Sequence, residues 1–322
     1  MMKQTGKHIL FIVLLAAFLA PPTADISGAE AKANVSASYI YTLANFTGIL
    51  PVSWTPISVD DARGEVYVIP GNAIKIFNDR GMEVYSFNDA GDIDGVVDLA
   101  VDDAGTIFLL SPAHREIIRC NYRGEPMGTM ELKNLPAQFS GFFPNRIFIR
   151  KDTFYFASLR SMLVITTDRA GNFKDSYDIA ALINFDASLD TKDQTEAEIV
   201  GFSVDQEGNI LFTMPVIAKA GIVSPDKKMR LFGQSGSTAG RFGVVGGIAV
   251  DATGKFILVA DTLRCVVMIF DRNFDFQTEF GFRGLAPGNL VGPMGLAVDN
   301  KNRLYVAQLR NRGISVYQIA ES

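Results

Sequence analysis

Several sets of residues in this chain have types and spacings that could do chemistry. Aspartate recurs at Asp60, Asp102, Asp205, Asp251 and Asp299, the raw material of a carboxylate pair or a metal site. A second run, DAGDIDGVVD, holds Asp89, Asp92, Asp94 and Asp98 with part of the spacing of an oxygen-rich calcium loop, but it lacks the distal Glu such a loop needs. The run therefore reads first as a solvated loop between units, Asp89, Asp92 and Asp94 are the candidate ligands for calcium, and no other cofactor is indicated. Ser224-Pro-Asp-Lys227 fits the Ser-x-x-Lys nucleophile pattern, which requires a helix; here it falls in an expected hairpin turn. Only Cys120, Cys265, His8 and His114 are present, so neither a disulfide framework, a four-cysteine zinc site nor a histidine cage is available.

The recurring aspartates read as structure once their surroundings are included. Each ends an apolar run and most precede a glycine: Ile57-Ser-Val-Asp60 before Gly64, Leu99-Ala-Val-Asp102 before Gly105, Phe202-Ser-Val-Asp205 before Gly208, and Gly247-Ile-Ala-Val-Asp251 before Gly254. Asp accepts backbone hydrogen bonds at the start of a turn and Gly supplies positive φ at its end. Equivalence from unit to unit is expected to keep these carboxylates far apart.

The elements around them repeat. Gly246 to Phe270 reads as three strands, 247–250, 256–260 and 266–270, because short β-branched runs are punctuated by Asp and Gly. Shifted by 48 residues the pattern returns as Met294-Gly-Leu-Ala-Val-Asp299, and after the turn the offset falls to 47, one hairpin residue having been lost. Weaker copies lie upstream, one with Arg150 in place of the aspartate, which makes six units anchored at 60, 102, 150, 205, 251 and 299. Third strands are expected at 74–77, 117–120, 163–166, 221–223, 266–270 and 314–317, and fourth strands at 83–87, 126–132, 173–179, 228–232 and 276–280. The last unit lacks a fourth strand, and an orphan strand, Tyr39 to Phe46, precedes the first. The expected fold is all-β: a six-bladed β-propeller of four-stranded antiparallel blades, closed by the N-terminal strand completing the last blade. Trp54 and the Phe142-Phe143 pair are assigned to blade packing.

The run Phe232-Gly233, Gly236, Gly240, Phe242, Gly247-Ile-Ala-Val-Asp251, Val259-Ala-Asp261, Val267 and Phe270-Asp271 resembles the NHL repeat, and the likeness extends over most of residues 39 to 319. The chain departs from it at Gln308, where the Val-Ala-Asp element has lost its Asp, and at Arg264, where an Asn is usual. The resemblance implies a binding scaffold with no catalysis of its own, taking a protein or an anionic ligand. Calcium-dependent lactonases and related lyases also resemble six-bladed propellers, with carboxylates and Asn at the central channel, and form the enzyme alternative.

Lys3 and Lys7, an apolar run from Ile9 to Ala20, and Ala29-Glu-Ala31 have the order of a secretory signal peptide. The run is 12 residues, short of the ~20 that a spanning helix needs. Residues 1–31 are thus expected to be removed and 32–322 to form the propeller, exported to the periplasm or beyond and with no membrane span. The net charge is −5 and gives no footprint for nucleic acid. A monomer is expected, with Cys120 and Cys265 free because they fall in the second and fifth of six blades. The long loops 181–199, 233–245 and 281–293 collect on one face, where the second-to-third-strand loops add Arg115, Arg160, Lys219, Arg264, Arg310 and Arg312. These cations are the candidate ligand-binding residues.

Overall fold

The computed structural model describes residues 35–53, 55–71, 73–88, 93–112 and 116–321. The expected leader, Trp54, Asp89, Asp92, His114 and Arg115 lie outside them. Six four-stranded antiparallel sheets follow one another along the chain. Their innermost strands are Ile57–Asp60, Asp98–Val101, Arg146–Arg150, Phe202–Val204, Val245–Val250 and Pro293–Val298, and they define blades 1 to 6.

Both faces of each blade are buried, which is why the strands read as unbroken apolar runs. In the second strand of blade 5, Ile257 and Val259 pack toward blade 4 while Phe256 and Leu258 pack toward blade 6. Each of the six hydrophobic clusters spans one pair of adjacent blades. The last of them joins Val66, Val68 and Phe77 of blade 1 to Tyr305, Ile314 and Val316 of blade 6, so the ring is closed by a core like any other.

The closing strand is Val35–Thr42, paired antiparallel with Ile314–Glu321 and with Tyr39 opposite Tyr317. It lies four residues earlier than the sequence places it. The chain leaves the strand where Leu43 buries itself and donates its N–H to the Ile314 carbonyl at 2.9 Å. Ala44–Asn45 and Gly48–Ile49 then fold back as a small hairpin. A second difference follows blade 3, whose fourth strand stops at Asp178. Asp178 and Asp190 cap two short helices, Ile179–Asn184 and Thr191–Glu196, each carboxylate accepting a backbone N–H, at 2.9 and 2.8 Å.

The recurring aspartates are turn anchors. Asp205 accepts the N–H of Glu207 and Asn209, Asp251 those of Thr253 and Phe256, and Asp299 those of Lys301 and Arg303, at 2.7–3.1 Å. Blade 3 manages without one because its turn is shorter: Arg150 pairs directly with Thr153, and Lys151 takes the positive φ of 53°. The Phe-Gly signature also has a steric cause. Gly233 has a φ of 99°, and a Cβ there would stand 2.1 Å from the Phe242 ring; Gly281 repeats the arrangement against Leu290.

Ser224 to Lys228 is indeed a turn, with the Ser224 hydroxyl bonded to the Asp226 carboxylate and the Lys227 ammonium 2.7 Å from Asp175. Phe142 packs against the blade 2–3 core as expected. Phe143 does not; it is 52% exposed, because the chain turns outward before Pro144. Cys120 and Cys265 are both free and buried, and burial pushes the Cys120 thiol up to about 11.

The closing strand is the only cover for the edge 314–321 among the described strands, so a chain beginning at Pro51 should aggregate or fail to fold. Size-exclusion chromatography and urea unfolding against a chain beginning at Lys32 check this. Equal stability in a monomer would refute closure by this strand.

Candidate functional site at the channel mouth

Each innermost strand has a hydrogen-bonding neighbour on one side only, so its other edge turns unpaired N–H and C=O groups toward the axis of the ring. Two cavities occupy that axis, about 360 Å³ on the side of the aspartate turns and about 480 Å³ on the side of the long loops. Ile57, Asp98, Phe148 and Leu296 line both, so they are the two ends of one channel.

The upper end is chemically lopsided. Blades 4 to 6 and the chain entering them contribute Gly201, Gly247 and Gly295, apolar residues such as Ile199, Ile248 and Met294, and Glu198, while blades 2 and 3 contribute Asp98, Asn145, Arg146 and Arg160. Two of the glycines are forced by packing, since a Cβ on Gly201 would stand 2.2 Å from the Gly246 carbonyl oxygen and one on Gly247 2.7 Å from that of Met294.

Asp98 is 5% exposed and accepts the N–H of Leu99 at 3.0 Å and, across the blade boundary, that of Ile147 at 2.9 Å. Burial pushes its carboxyl up to about 6, even though the Arg146 charge and both amides pull the other way. Arg146 donates to the Asn145 carbonyl at 2.7 Å. The Asn145 side chain in turn accepts the Leu159 N–H at 3.0 Å, which fixes the start of the loop bearing Arg160. Arg160 is exposed and makes no hydrogen bond to a described residue; it stands between the channel mouth and an outer concavity lined by Phe139, Phe142 and Phe143.

Of the six cations expected to gather on this face, Arg160 alone among the described residues lines the mouth. Arg264 is spent on Glu279, at 2.6 Å with both partners largely buried. Lys219 donates to the Gly233 carbonyl and Arg312 to that of Leu285, at 2.9 and 3.0 Å, while Arg310 is exposed in a tight turn with a φ of 57°. The aspartate run divides as well: Asp98 belongs to the channel wall, whereas Asp94 is exposed and only its backbone carbonyl is held, by the Ser111 hydroxyl. Among the described residues no three His, Cys, Asp or Glu side chains are grouped so as to hold a metal ion.

Two of the five turn anchors are brought to one place. Because inner strands converge on the axis, Asp205 and Asp299 line the same lower cavity, together with Asp61 and Arg150. Arg146 was missed as a site residue and Asp98 was read only as part of the calcium-like run, although each stands four positions before its unit's anchor, where the other units have Gly or Pro.

No family model matches the chain, and no curated protein is similar to it. Among solved structures it is similar to a streptogramin B lyase, with a TM-score of 0.58 and 14% identity over 90% of this chain and 98% of that one. A protein of unknown function from Bacteroides thetaiotaomicron gives a TM-score of 0.61 at 10% identity, over 89% of this chain and 76% of that one. A catalytically inactive histidine-to-alanine form of virginiamycin B lyase from Staphylococcus aureus, with quinupristin, gives 0.55 at 12% identity, over 89% of this chain and 100% of that one. Likeness at such identities shows the propeller fold alone.

The Asp98 carboxyl should titrate near pH 6 in a carbon-detected NMR experiment, and the signal should vanish in Asp98→Asn. Its folded pKa lies above the ordinary value of 3.8, so its contribution to stability is complete below about pH 4 and is lost as pH rises through 6. Urea unfolding at several pH values should show that loss in the natural protein and not in Asp98→Asn; titration near 4 would refute the assignment.

Proposed function

We propose that this protein is an exported propeller of the NHL type that binds an acidic ligand, a glycan or a protein segment, at the upper end of its channel and performs no chemistry on it. The observation that carries the reading is the uneven mouth: Arg146 and Arg160, beside Asp98, on the blade 3 side of a cavity of about 480 Å³ whose blade 4 to 6 side is glycine and apolar residues apart from Glu198. The volume suits a ligand of a few rings or residues. Arg160 is a planar donor without an internal partner, the kind of group that takes a carboxylate in two parallel hydrogen bonds. The Phe139–Phe143 concavity next to it offers apolar surface to the rest of the ligand. Binding in this way needs neither a metal nor a second subunit, and the acidic net charge of −5 weighs against nucleic acid. The leader, and with it the periplasmic or extracellular location, rests on the N-terminal sequence. The alternative of a propeller enzyme draws on structural likeness and on the carboxylates and Asn of the channel, Asp98, Asn145 and Glu198 at this end and Asp61, Asp205, Asp299 and Asn300 at the other.

Immobilised acidic glycans, each beside its neutral counterpart, test the reading. The acidic series should bind more tightly and lose affinity as salt rises. Arg160→Ala should weaken binding about tenfold without changing stability, one charge-assisted hydrogen bond being lost. Equal binding of acidic and neutral ligands, or an unchanged affinity in Arg160→Ala, would overturn it.

A further inference from the structure

The lower end of the channel contains a charge that its own turn does not require. Five blades place an aspartate at the end of the innermost strand and use it on the turn; blade 3 places Arg150 there and closes its turn without it. Arg150 donates Nε–H to the Val204 carbonyl at 2.8 Å and Nη1–H to the Ile149 carbonyl at 3.1 Å, and it makes no ion pair with a described residue. Its second terminal nitrogen, Nη2, has no described partner, and the residue lines the cavity of about 360 Å³. Burial lowers its pKa from the ordinary value, against the charges of Asp61 and Asp205. A guanidinium held in this way lacks a counter-charge at contact distance.

The surrounding carboxylates do not supply one, because most are occupied. Asp205 is 2.6 Å from Arg272, Asp299 is 2.6 Å from Arg303, and Asp98 is held by two amides beside Arg146. That leaves Asp61, which is exposed on the same cavity and accepts the Asn300 N–H at 2.7 Å through one oxygen. Its other oxygen has no described partner. One cation and one anion with spare valence thus face a single small cavity, with Ser58, Ser203 and Gln206 around them. A multivalent anion would meet Asp61 and the other carboxylates unfavourably, whereas a molecule carrying one charge of each sign satisfies both groups at once.

We propose that the lower end of the channel is a separate binding site for a small zwitterion of the amino-acid class, its carboxylate on Arg150 and its ammonium group on Asp61. The site is independent of the acidic-ligand reading of the upper mouth and can fail or stand without it.

Isothermal titration of the full-length protein with L-alanine, acetate, methylamine and inorganic phosphate tests the proposal. L-Alanine should bind, and acetate and methylamine, each missing one contact, should bind about tenfold more weakly or worse. Arg150→Gln should lose alanine binding. Because that change also removes a bond to the blade 4 carbonyl, Asp61→Asn is the companion variant: it keeps an acceptor for Asn300, lies on the surface, and should still weaken alanine about tenfold. Arg160→Ala, at the other end of the channel, should bind alanine as the natural protein does. Absence of alanine binding, equal binding by Asp61→Asn, or tighter binding of phosphate than of alanine would each overturn the zwitterion site.

Discussion

Six sheets that close into a ring bring six unpaired strand edges to a common axis, and the rest of the molecule answers to that constraint. Away from the axis every strand has a partner, and the end of the chain is covered by Val35–Thr42. At the axis no further strand fits, so buried backbone groups must find side chains or solvent. The structure meets this by reaching across blade boundaries. Asp98 of blade 2 takes the Ile147 N–H of blade 3, Arg150 of blade 3 gives to the Val204 carbonyl of blade 4, and Asp61 of blade 1 takes the Asn300 N–H of blade 6. Thr213 of blade 4 spans the next boundary by donating to the Gly246 carbonyl of blade 5. Asp61, Asp98 and Arg150, which help to knit the ring together, are therefore also side chains that a ligand in the channel would meet.

The blades were legible in the sequence because each depends on local chemistry: an apolar run, an Asp that accepts turn amides, and a residue that tolerates positive φ. Even the departures from the repeat keep the local function. Gln308 stands where Asp261 does in blade 5; Asp261 accepts the N–H of Gly243 and Val244, and Gln308 accepts that of Val291 through its longer side chain. The closing strand was misplaced because its strong strand formers begin at Tyr39, while Val35-Ser-Ala-Ser38 before them carries little strand signal. What ends the strand is a tertiary event, the burial of Leu43 under blade 1.

The site was much less legible, since whether a cation is available depends on partners distant in sequence. Nothing near Arg264 announces that Glu279 will lie 2.6 Å away across the neighbouring strand, and nothing near Lys219 announces the Gly233 carbonyl. Of the six expected cations, Arg160 is the one among the described residues that lines the mouth, and it makes no hydrogen bond to a described residue. Asp98 and Arg146 carried a positional signal, a charge where other units have Gly or Pro, but it acquires meaning only once the six inner strands are known to surround a channel.

These observations converge on blade 3. It is the unit with the weakest likeness to its siblings, the one that lost its turn aspartate, and the one followed by the two-helix insertion. It also supplies Arg146, Arg150, Arg160 and the Phe148 ring, over which Arg150 lies at 5.8 Å. A repeat that serves only packing is held to the common pattern by its two neighbours, because each face must match an adjacent blade. Blade 3 keeps those faces apolar, through Ile147, Phe154 and Phe156 toward blade 2 and Tyr155 and Val164 toward blade 4. Its departures are confined to the ends and the inner edge, where no blade packs. Charged groups at such positions add nothing to the core and carry a desolvation cost, and local rules broken without a packing gain are the ordinary mark of a functional site. The irregular blade is thus where binding chemistry could accumulate while the ring stayed closed.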